Sequence, residues 1–395
     1  MARILLLHAS VGMGHQRAAA AIARAFEQLP GVAVQVEDTL DYARPWFRRF
    51  YRGSYLSTAD RIPGVWSKFY QYTDRAFAPH GMFAFSRTQY TALGMRNLCG
   101  LIERAQPDAI ICTHFLPLEV LAPLQGYDLP PLACVLTDYH AHAFWAVGGA
   151  DRYFVPTPAA RAELIAAGIA AARVRVTGIP IDPALAQPID RLAARRALGL
   201  PAWQPIVTLI GSGMPAARVE AIAHALLRRR LPATLVITVG RSRELARELA
   251  HLECTAGAAV RLLGPQPSLD PLIAASDLVI GKAGGLTVSE VLARGVPMFV
   301  PLPVPGQELW NVAHIERAGA GRGYADATEL ARDAVALLGD RQRHTVMAEA
   351  ARMAGQPAAA AMVAAHILAE LRQARMIARP QSPAAFIREA SVSSV

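Results

Sequence analysis

Short apolar runs, most of them continuous, alternate with Ala/Leu-rich stretches of helical period along most of this chain, and that rhythm restricts its fold more than any other feature. Runs at 3–8, 32–36, 109–113, 132–137, 152–156 and 174–177 form one series. Runs at 206–210, 234–239, 260–263, 278–280 and 298–302 form a second. A strand with one wet face alternates apolar and polar residues, so an unbroken apolar run predicts a strand covered on both faces, as in a parallel sheet. The helical segments between runs supply the crossovers that parallel pairing needs. Such a chain is α/β, with two Rossmann-like, doubly wound domains facing a central cleft.

Residues 178–205 separate the two series and hold Pro180, Pro183, Pro188, Pro201 and Pro205. Proline interrupts helices and interior strands, which marks this stretch as an interdomain connection. The expected division is 1–180, a linker at 181–205, a second domain at 206–378 that includes a C-terminal helix, and a frayed tail at 379–395. A length of 395 residues suits two cores better than one. No apolar run reaches the roughly 18 residues of a membrane-spanning helix, and the apolar start is too short for a signal peptide. Cys99, Cys112, Cys134 and Cys254 are widely spaced, the first three in apolar surroundings. They read as reduced thiols of a cytoplasmic protein rather than a disulfide framework or a metal site.

The formal net charge of +9 admits nucleic acid, phosphorylated substrates or an anionic membrane as partners. Its distribution favours the last. Residues 41–100 hold 14 of the 27 aromatic residues, and nine Arg/Lys against three Asp. Aromatic rings settle at headgroup depth while cations meet anionic lipid. Trp46, Phe47, Arg48, Arg49, Phe50, Trp66 and Phe69 are therefore candidate membrane contacts. The plainer alternative is an insertion that packs its rings into the first domain and leaves its arginines in solvent. No recognition motif accompanies the basic stretch, so nucleic acid is not an expected partner.

Four segments carry polar chemistry. Ser10-Val11-Gly12-Met13-Gly14-His15 follows the first strand and opens a helix. Glycine permits the tight turn, and a helix N-terminus favours an anion and a neutral imidazole, which suits His15 to general-base work. Arg17 occupies the third-glycine position of a dinucleotide fingerprint, so that motif is poor. A capping turn with an incidental histidine is the bland alternative. Gly281 to Glu290 again joins a strand to a helix, so its backbone N–H groups suit a diphosphate and Glu290, on the helix, a ribose diol. Lys282 is followed by Ala283, which excludes a P-loop. A tight strand-to-helix turn with a surface Glu would look the same. Pro301 to Glu308 is a proline-stiffened loop that offers Gln307 and Glu308 to sugar hydroxyls, with Asn311 beyond, or is simply a rigid connector. In Thr137-Asp138-Tyr139-His140-Ala141-His142, alternate histidines supply two ligands at most on one side, so no metal is expected. Nor does the chain hold an Asp-x-Asp pair to clamp a diphosphate through a metal.

Taken in order, "HASVGMGHQRAAAAIARAF", "TDYHAHAFW", "TGIPIDP" and "GKAGGLTVSEVLARGVPMFVPLPVPGQE" resemble the monogalactosyldiacylglycerol synthases and processive diacylglycerol glucosyltransferases of glycosyltransferase family 28. That group is related to the GlcNAc transferase of peptidoglycan lipid synthesis, and the resemblance spans nearly the whole chain. It implies a GT-B fold, with the acceptor in the N-terminal domain and the UDP-sugar in the C-terminal one. It also implies inverting transfer of glucose or galactose to diacylglycerol on the inner face of the cell membrane, with no metal or other cofactor. His15 becomes the base, and Gly12 and Gly14 the loop beside the leaving diphosphate. Gly211, Ser212, Gly213, Lys282, Gly284, Gly285, Leu286 and Thr287 fall at the donor, as do Glu290 at the ribose and Gly306, Gln307 and Glu308 at the hexose. Read from their own segment, Asp138 and His140 either contact the acceptor or form polar lining of the cleft. Met13 replaces a glycine of plant-type members, Ala283 replaces a frequent proline, and Leu309-Trp310 fits no pattern of the group. Rival readings are a same-fold transferase for a sterol, ceramide or polyprenyl acceptor, and a UDP-sugar epimerase.

Overall fold

The computed structural model describes residues 1–49, 51, 95, 97–124, 129–256, 260–303 and 306–378. All eleven apolar runs are strands, with ends within two residues of expectation. The first sheet comprises β1 (Ala2–His8), β2 (Val32–Asp38), β3 (Ala109–Cys112), β4 (Leu132–Val135), β5 (Arg152–Val155) and β6 (Val174–Val176). The second comprises β7 (Ile206–Ile210), β8 (Thr234–Thr238), β9 (Val260–Leu263), β10 (Leu278–Ile280), β11 (Met298–Pro301) and β12 (Gly321–Tyr324). Every pairing in both sheets is parallel.

Burial explains the apolar runs. In β1, Leu5 and Leu7 face one core while Ile4 and Leu6 face another across the sheet. β12 went unforeseen because its sequence, Gly-Arg-Gly-Tyr, has no apolar run. Glycine is required there for steric reasons: a Cβ at Gly321 would lie 1.8 Å from the Met298 carbonyl oxygen, and one at Gly323 would lie 2.7 Å from Val312.

The helices between strands are α1 (Gly14–Glu27), α2 (Asn97–Ala105), α3 (Phe115–Leu121) and α4 (Pro158–Ala166) in the first half, and α5 (Arg191–Ala197) in the connection. The second half adds α6 (Ala216–Arg228), α7 (Arg243–Ala256), α8 (Asp270–Ala275), α9 (Gly285–Ala293), α10 (Gln307–Arg317), α11 (Ala327–Gly339) and α12 (Arg341–Ala354). The last helix, α13 (Ala359–Ala378), crosses back. Its Ala360, Val363, Ala364, Ile367 and Leu368 pack with Ile22 and Phe26 of α1 and with Ile4 and Leu6 of β1. The connection is fastened rather than slack. Arg195 is buried on α5, where its guanidinium donates to the carbonyls of Ala275, Ala202 and Gln204 and pairs with Asp277 at 2.8 Å. Burying a charge is tolerable only with this density of partners. Cys99, Cys112 and Cys134 are free thiols, and burial pushes the Cys112 thiol up. Among the described residues no helix is long and apolar enough to cross a membrane.

Strand order positions the site. The sheets run β2-β1-β3-β4-β5-β6 and β12-β11-β10-β7-β8-β9. The order reverses between β1 and β3 in the first, and between β7 and β10 in the second. Parallel sheets open a crevice at such a switch point, beyond the carboxyl ends of the strands. The loops there are 9–13 and 113–114 in one sheet, and 211–215 and 281–284 in the other.

Candidate active site

Those four loops, the helices that open from them and the loops after β4 and β11 hold the polar residues singled out from the sequence, and the two sets face one another across the seam between the two sheets. Each helix that opens from a glycine-rich turn here lacks a side-chain cap: α1 after Met13, α6 after Pro215, α9 after Gly284 and α10 after Gly306. Elsewhere Thr157, Asp190, Asp326 and Asp340 cap helices through side-chain oxygens. Uncapped first-turn N–H groups with the positive dipole end form a setting for an anion.

His15 stands in the first turn of α1, half-buried. Its Nδ1 is 2.9 Å from the Thr113 carbonyl and 2.9 Å from Thr137 Oγ1. A carbonyl can only accept, so Nδ1 carries the proton and Nε2 keeps its lone pair. Burial lowers the His15 pKa to about 4, against the opposing pull of the Thr113 carbonyl. The ring is thus neutral, of fixed tautomer, and braced edge-on by His114 at 4.4 Å. His114 is itself buried and accepts from the Leu116 N–H, with burial first and His15 second holding its pKa well below the ordinary value.

Thr137 joins the two halves. Its hydroxyl meets His15, and its carbonyl lies against Gly285, where a Cβ would stand 2.1 Å from the Thr137 oxygen. Next in sequence, Asp138 is held by the Asn311 amide, and burial raises its pKa to about 6, with Glu308 adding to the rise. The Tyr139 N–H donates to Asn311 Oδ1 at 3.0 Å, and Asn311 Nδ2 donates to the Ala283 carbonyl at 2.8 Å. The Tyr139 ring stacks on His314 at 3.9 Å while its hydroxyl meets Ser289 Oγ at 2.9 Å. His140 stacks on Trp310 at 4.3 Å, and its Nδ1 lies 3.1 Å from Glu163. Leu309-Trp310, which fitted no pattern in the sequence, therefore has a structural partner in the other half of the chain.

Three further contacts close the seam. Arg17 of α1 pairs with Glu290 of α9, Arg24 pairs with Asp182, and Gly14 lies under Leu286, whose Cδ2 is 3.5 Å from a Cβ built there. Glu290 is buried; burial pushes its carboxyl up and the Arg17 guanidinium opposes that, while Oε2 is left with no hydrogen-bond partner. Lys282 Nζ lies 3.2 Å from Glu308, and its stem passes 3.9 Å from the Cβ position of Gly213. The Gly211-Ser212-Gly213 turn, Lys282 and Glu308 are thus neighbours. Gly306 begins α10 at φ +119°, a conformation open to glycine, with Gln307 half-buried beside it. Thr287 is half-buried on α9.

Several placements differ from expectation. Gly285 and Leu286 were assigned to the donor, yet both are buried against the other half, and steric approach by Thr137 accounts for the glycine. Asp138 and His140 lie in the seam, in line with the reading of them as polar lining of the cleft. Phe47 was expected on a membrane surface; it is 1% exposed and stacks on Tyr51 at 5.6 Å, because one face of its helical turn points into the first core. Its neighbour Trp46 is 40% exposed, and Arg48 and Arg49 are exposed, with Arg48 3.3 Å from Asp41. Phe50, Trp66 and Phe69 lie outside the described residues. Arg17, Thr113, His114 and Tyr139 were not singled out in the sequence. Arg17 drew notice only as a spoiled motif position.

Two doubly wound domains, joined so that their switch-point loops face one another, define the GT-B fold. Acinetobacter baumannii MurG shares the fold, with a TM-score of 0.59 at 18% identity over 93% of this chain and 99% of that one. So does Staphylococcus aureus MnaA, solved with UDP, with a TM-score of 0.61 at 15% identity over 94% and 97%. Residues 15–181 match the monogalactosyldiacylglycerol (MGDG) synthase family, and residues 216–364 match the glycosyltransferase family 28 C-terminal domain. The two family matches follow one another along the chain, one on each domain. The processive diacylglycerol beta-glucosyltransferase of Staphylococcus aureus (strain Newman) is 29% identical over 354 residues, spanning 85% of this chain and 84% of that protein.

Proposed function

We propose that this protein transfers a hexose from UDP-glucose or UDP-galactose to diacylglycerol, with inversion and without a metal, on the inner face of the cell membrane. The observation that carries the chemistry is His15: a neutral ring whose Nδ1–H is committed to the Thr113 carbonyl, leaving Nε2 to accept a proton. In the proposed step Nε2 takes the proton of the acceptor's primary hydroxyl. The hydroxyl oxygen attacks the anomeric carbon from the face opposite UDP, and the bond from that carbon to the diphosphate breaks, its electron pair leaving with UDP. The uncapped N-termini of α1, α6 and α9, together with Lys282, meet the charge that develops on the diphosphate.

Donor binding on the second half draws support from Glu290, whose Oε2 is buried without a partner and suits a ribose hydroxyl. Its other oxygen pairs with Arg17, so an arriving nucleotide shares or displaces that pair. Gln307 and Glu308, at the start of α10, take the hexose. Membrane docking draws on the exposed Trp46, Arg48 and Arg49 and on the composition of residues 41–100. In this reading residues 1–180 hold the acceptor and 206–378 the donor.

The test is incubation of purified protein with radiolabelled UDP-glucose or UDP-galactose and diacylglycerol in anionic vesicles, followed by thin-layer separation. The expected result is a labelled glycolipid from one donor, formed equally well after exhaustive chelation. Label released as free altered sugar would identify an epimerase. No lipid-soluble label from either donor would remove diacylglycerol as the acceptor.

A further inference from the structure

Away from the seam, α6 and α7 lie side by side on the second sheet, with Val219, Ile222 and Leu226 of one and Leu245, Leu249 and Leu252 of the other buried in its core. At the solvent rim of this pair three side chains converge. Glu220 and His224 are four residues apart on α6 and so share a face. His251 comes from α7. Glu220 Oε1 lies 3.5 Å from His224 Nε2 and 3.2 Å from His251 Nε2, and the ligand atoms all fall within 4.8 Å of one another. Around a tetrahedral zinc ion, with bonds of about 2.0–2.1 Å, neighbouring ligand atoms stand about 3.3–3.4 Å apart. Two edges of the triangle already match.

The hydrogen bonding of His251 points the same way. Its Nδ1 is 2.8 Å from the Glu248 carbonyl, which can only accept, so Nδ1 carries the proton. With a proton on Nδ1 alone, Nε2 turns a lone pair toward the Glu220 carboxylate, a contact that either a second proton or a cation between the two would relieve. A backbone carbonyl on the far nitrogen is also how metal-binding histidines are usually oriented. Packed helices hold the backbone of all three residues in place. Their side chains remain 40–46% exposed, which leaves a fourth position to water.

We propose that Glu220, His224 and His251 form a three-ligand site for a divalent cation of the zinc class, clipping α6 to α7 at the surface of the second domain. The site is separate from the transfer chemistry, and none of its residues belongs to the seam.

The test is isothermal titration of the untagged, chelator-stripped full chain with Zn²⁺. One equivalent should bind, while Mg²⁺ gives no comparable heat, because imidazole is a poor ligand for that ion. His224→Asn, His251→Asn and Glu220→Gln should each weaken binding by about tenfold or more. Zn²⁺ should raise the midpoint of thermal unfolding of the wild type but not of the triple variant. All three side chains are part-exposed, so the variants should keep the wild-type circular dichroism and metal-free midpoint. Equal Zn²⁺ affinity in the wild type and the triple variant would overturn the proposal. So would no Zn²⁺ heat at all, which would leave the cluster as a carboxylate paired with protonated histidines.

Discussion

After β1 the chain turns through Gly12-Met13-Gly14, and after β10 it turns through Gly284-Gly285. Both turns sit at a switch point and both open an uncapped helix. Their glycines answer different needs. Gly12 has φ +86° with open space around it, so the requirement is conformational. Gly285 has helical geometry, yet the Thr137 carbonyl fills the place of a Cβ, so the requirement is steric and comes from the other half of the chain. Gly284, one residue earlier, has an ordinary φ of −70° and nothing within 4 Å. One turn therefore shapes a loop that carries His15, the proposed base, while the other is a mating surface. A glycine-rich signature can come from two different physical causes.

The largest expected effect lies on the first turn. His15→Ala should cost about 10²–10⁴-fold in turnover, or about 2.7–5.4 kcal/mol of barrier, with little change in stability. Because burial sets the His15 pKa at about 4, the base is unprotonated above that pH and protonated below it. The part of the rate profile that belongs to His15 should stay level as pH falls through 6.5 and decline only toward 4. An acidic limb at 6.5 that vanishes in His15→Ala would show a solvated histidine and break the contrast between the two turns.

The second turn should fail by a different route. Gly285→Ala forces the Thr137 carbonyl away and should destabilise the protein by about 1–3 kcal/mol, read by urea unfolding. Turnover should fall with it, since Thr137 Oγ1 also contacts His15. Gly284→Ala is the control: near-wild-type stability, with weakened donor affinity where a phosphate approaches the backbone. Gly12→Ala comes next, at about 1–2 kcal/mol, the cost of a left-handed conformation for a residue with a side chain. If Gly284→Ala and Gly285→Ala destabilised equally, the steric account of the second turn would be wrong.

The same contrast explains what the sequence could reveal. Strands buried on both faces must be apolar throughout, so the inner strands were legible as runs, the edge strands β2, β6 and β9 kept enough apolar residues to be found as well, and the loops after β1 and β10 stood out by their glycines. β12 was hidden because close approach to Met298 and Val312 demands glycine where a strand would otherwise carry β-branched residues. Phe47 reads as a membrane residue by composition, yet its place depends on which face of a short helical turn meets the core. Arg17 and Glu290 are 273 residues apart, and nothing local marks them as partners. Glu220 and His224 share a helix face and can be paired by spacing, whereas His251 joins them only through helix packing. Local patterns specify elements and turns. Contacts between the halves depend on two distant surfaces meeting, which no window of sequence contains.

Trp310 offers the smallest and most selective test of that seam. Its ring lies nearly parallel to His140, 14° apart at 4.3 Å, and is 43% exposed. Its partner comes from the loop after β4, so the stack joins the two halves without being part of either core. Trp310→Ala should cost about 0.5–1.5 kcal/mol, the range for an aromatic pair beyond its buried area. A double-mutant cycle with His140→Ala isolates the pair, because removing either ring removes the same contact. A coupling near the size of the single effects would make the stack a fastener of the closed seam. Additive effects would leave Trp310 as an exposed ring resting on its neighbour, with the contacts of Tyr139, Asn311 and Thr137 and the Arg17–Glu290 pair holding the halves together without it.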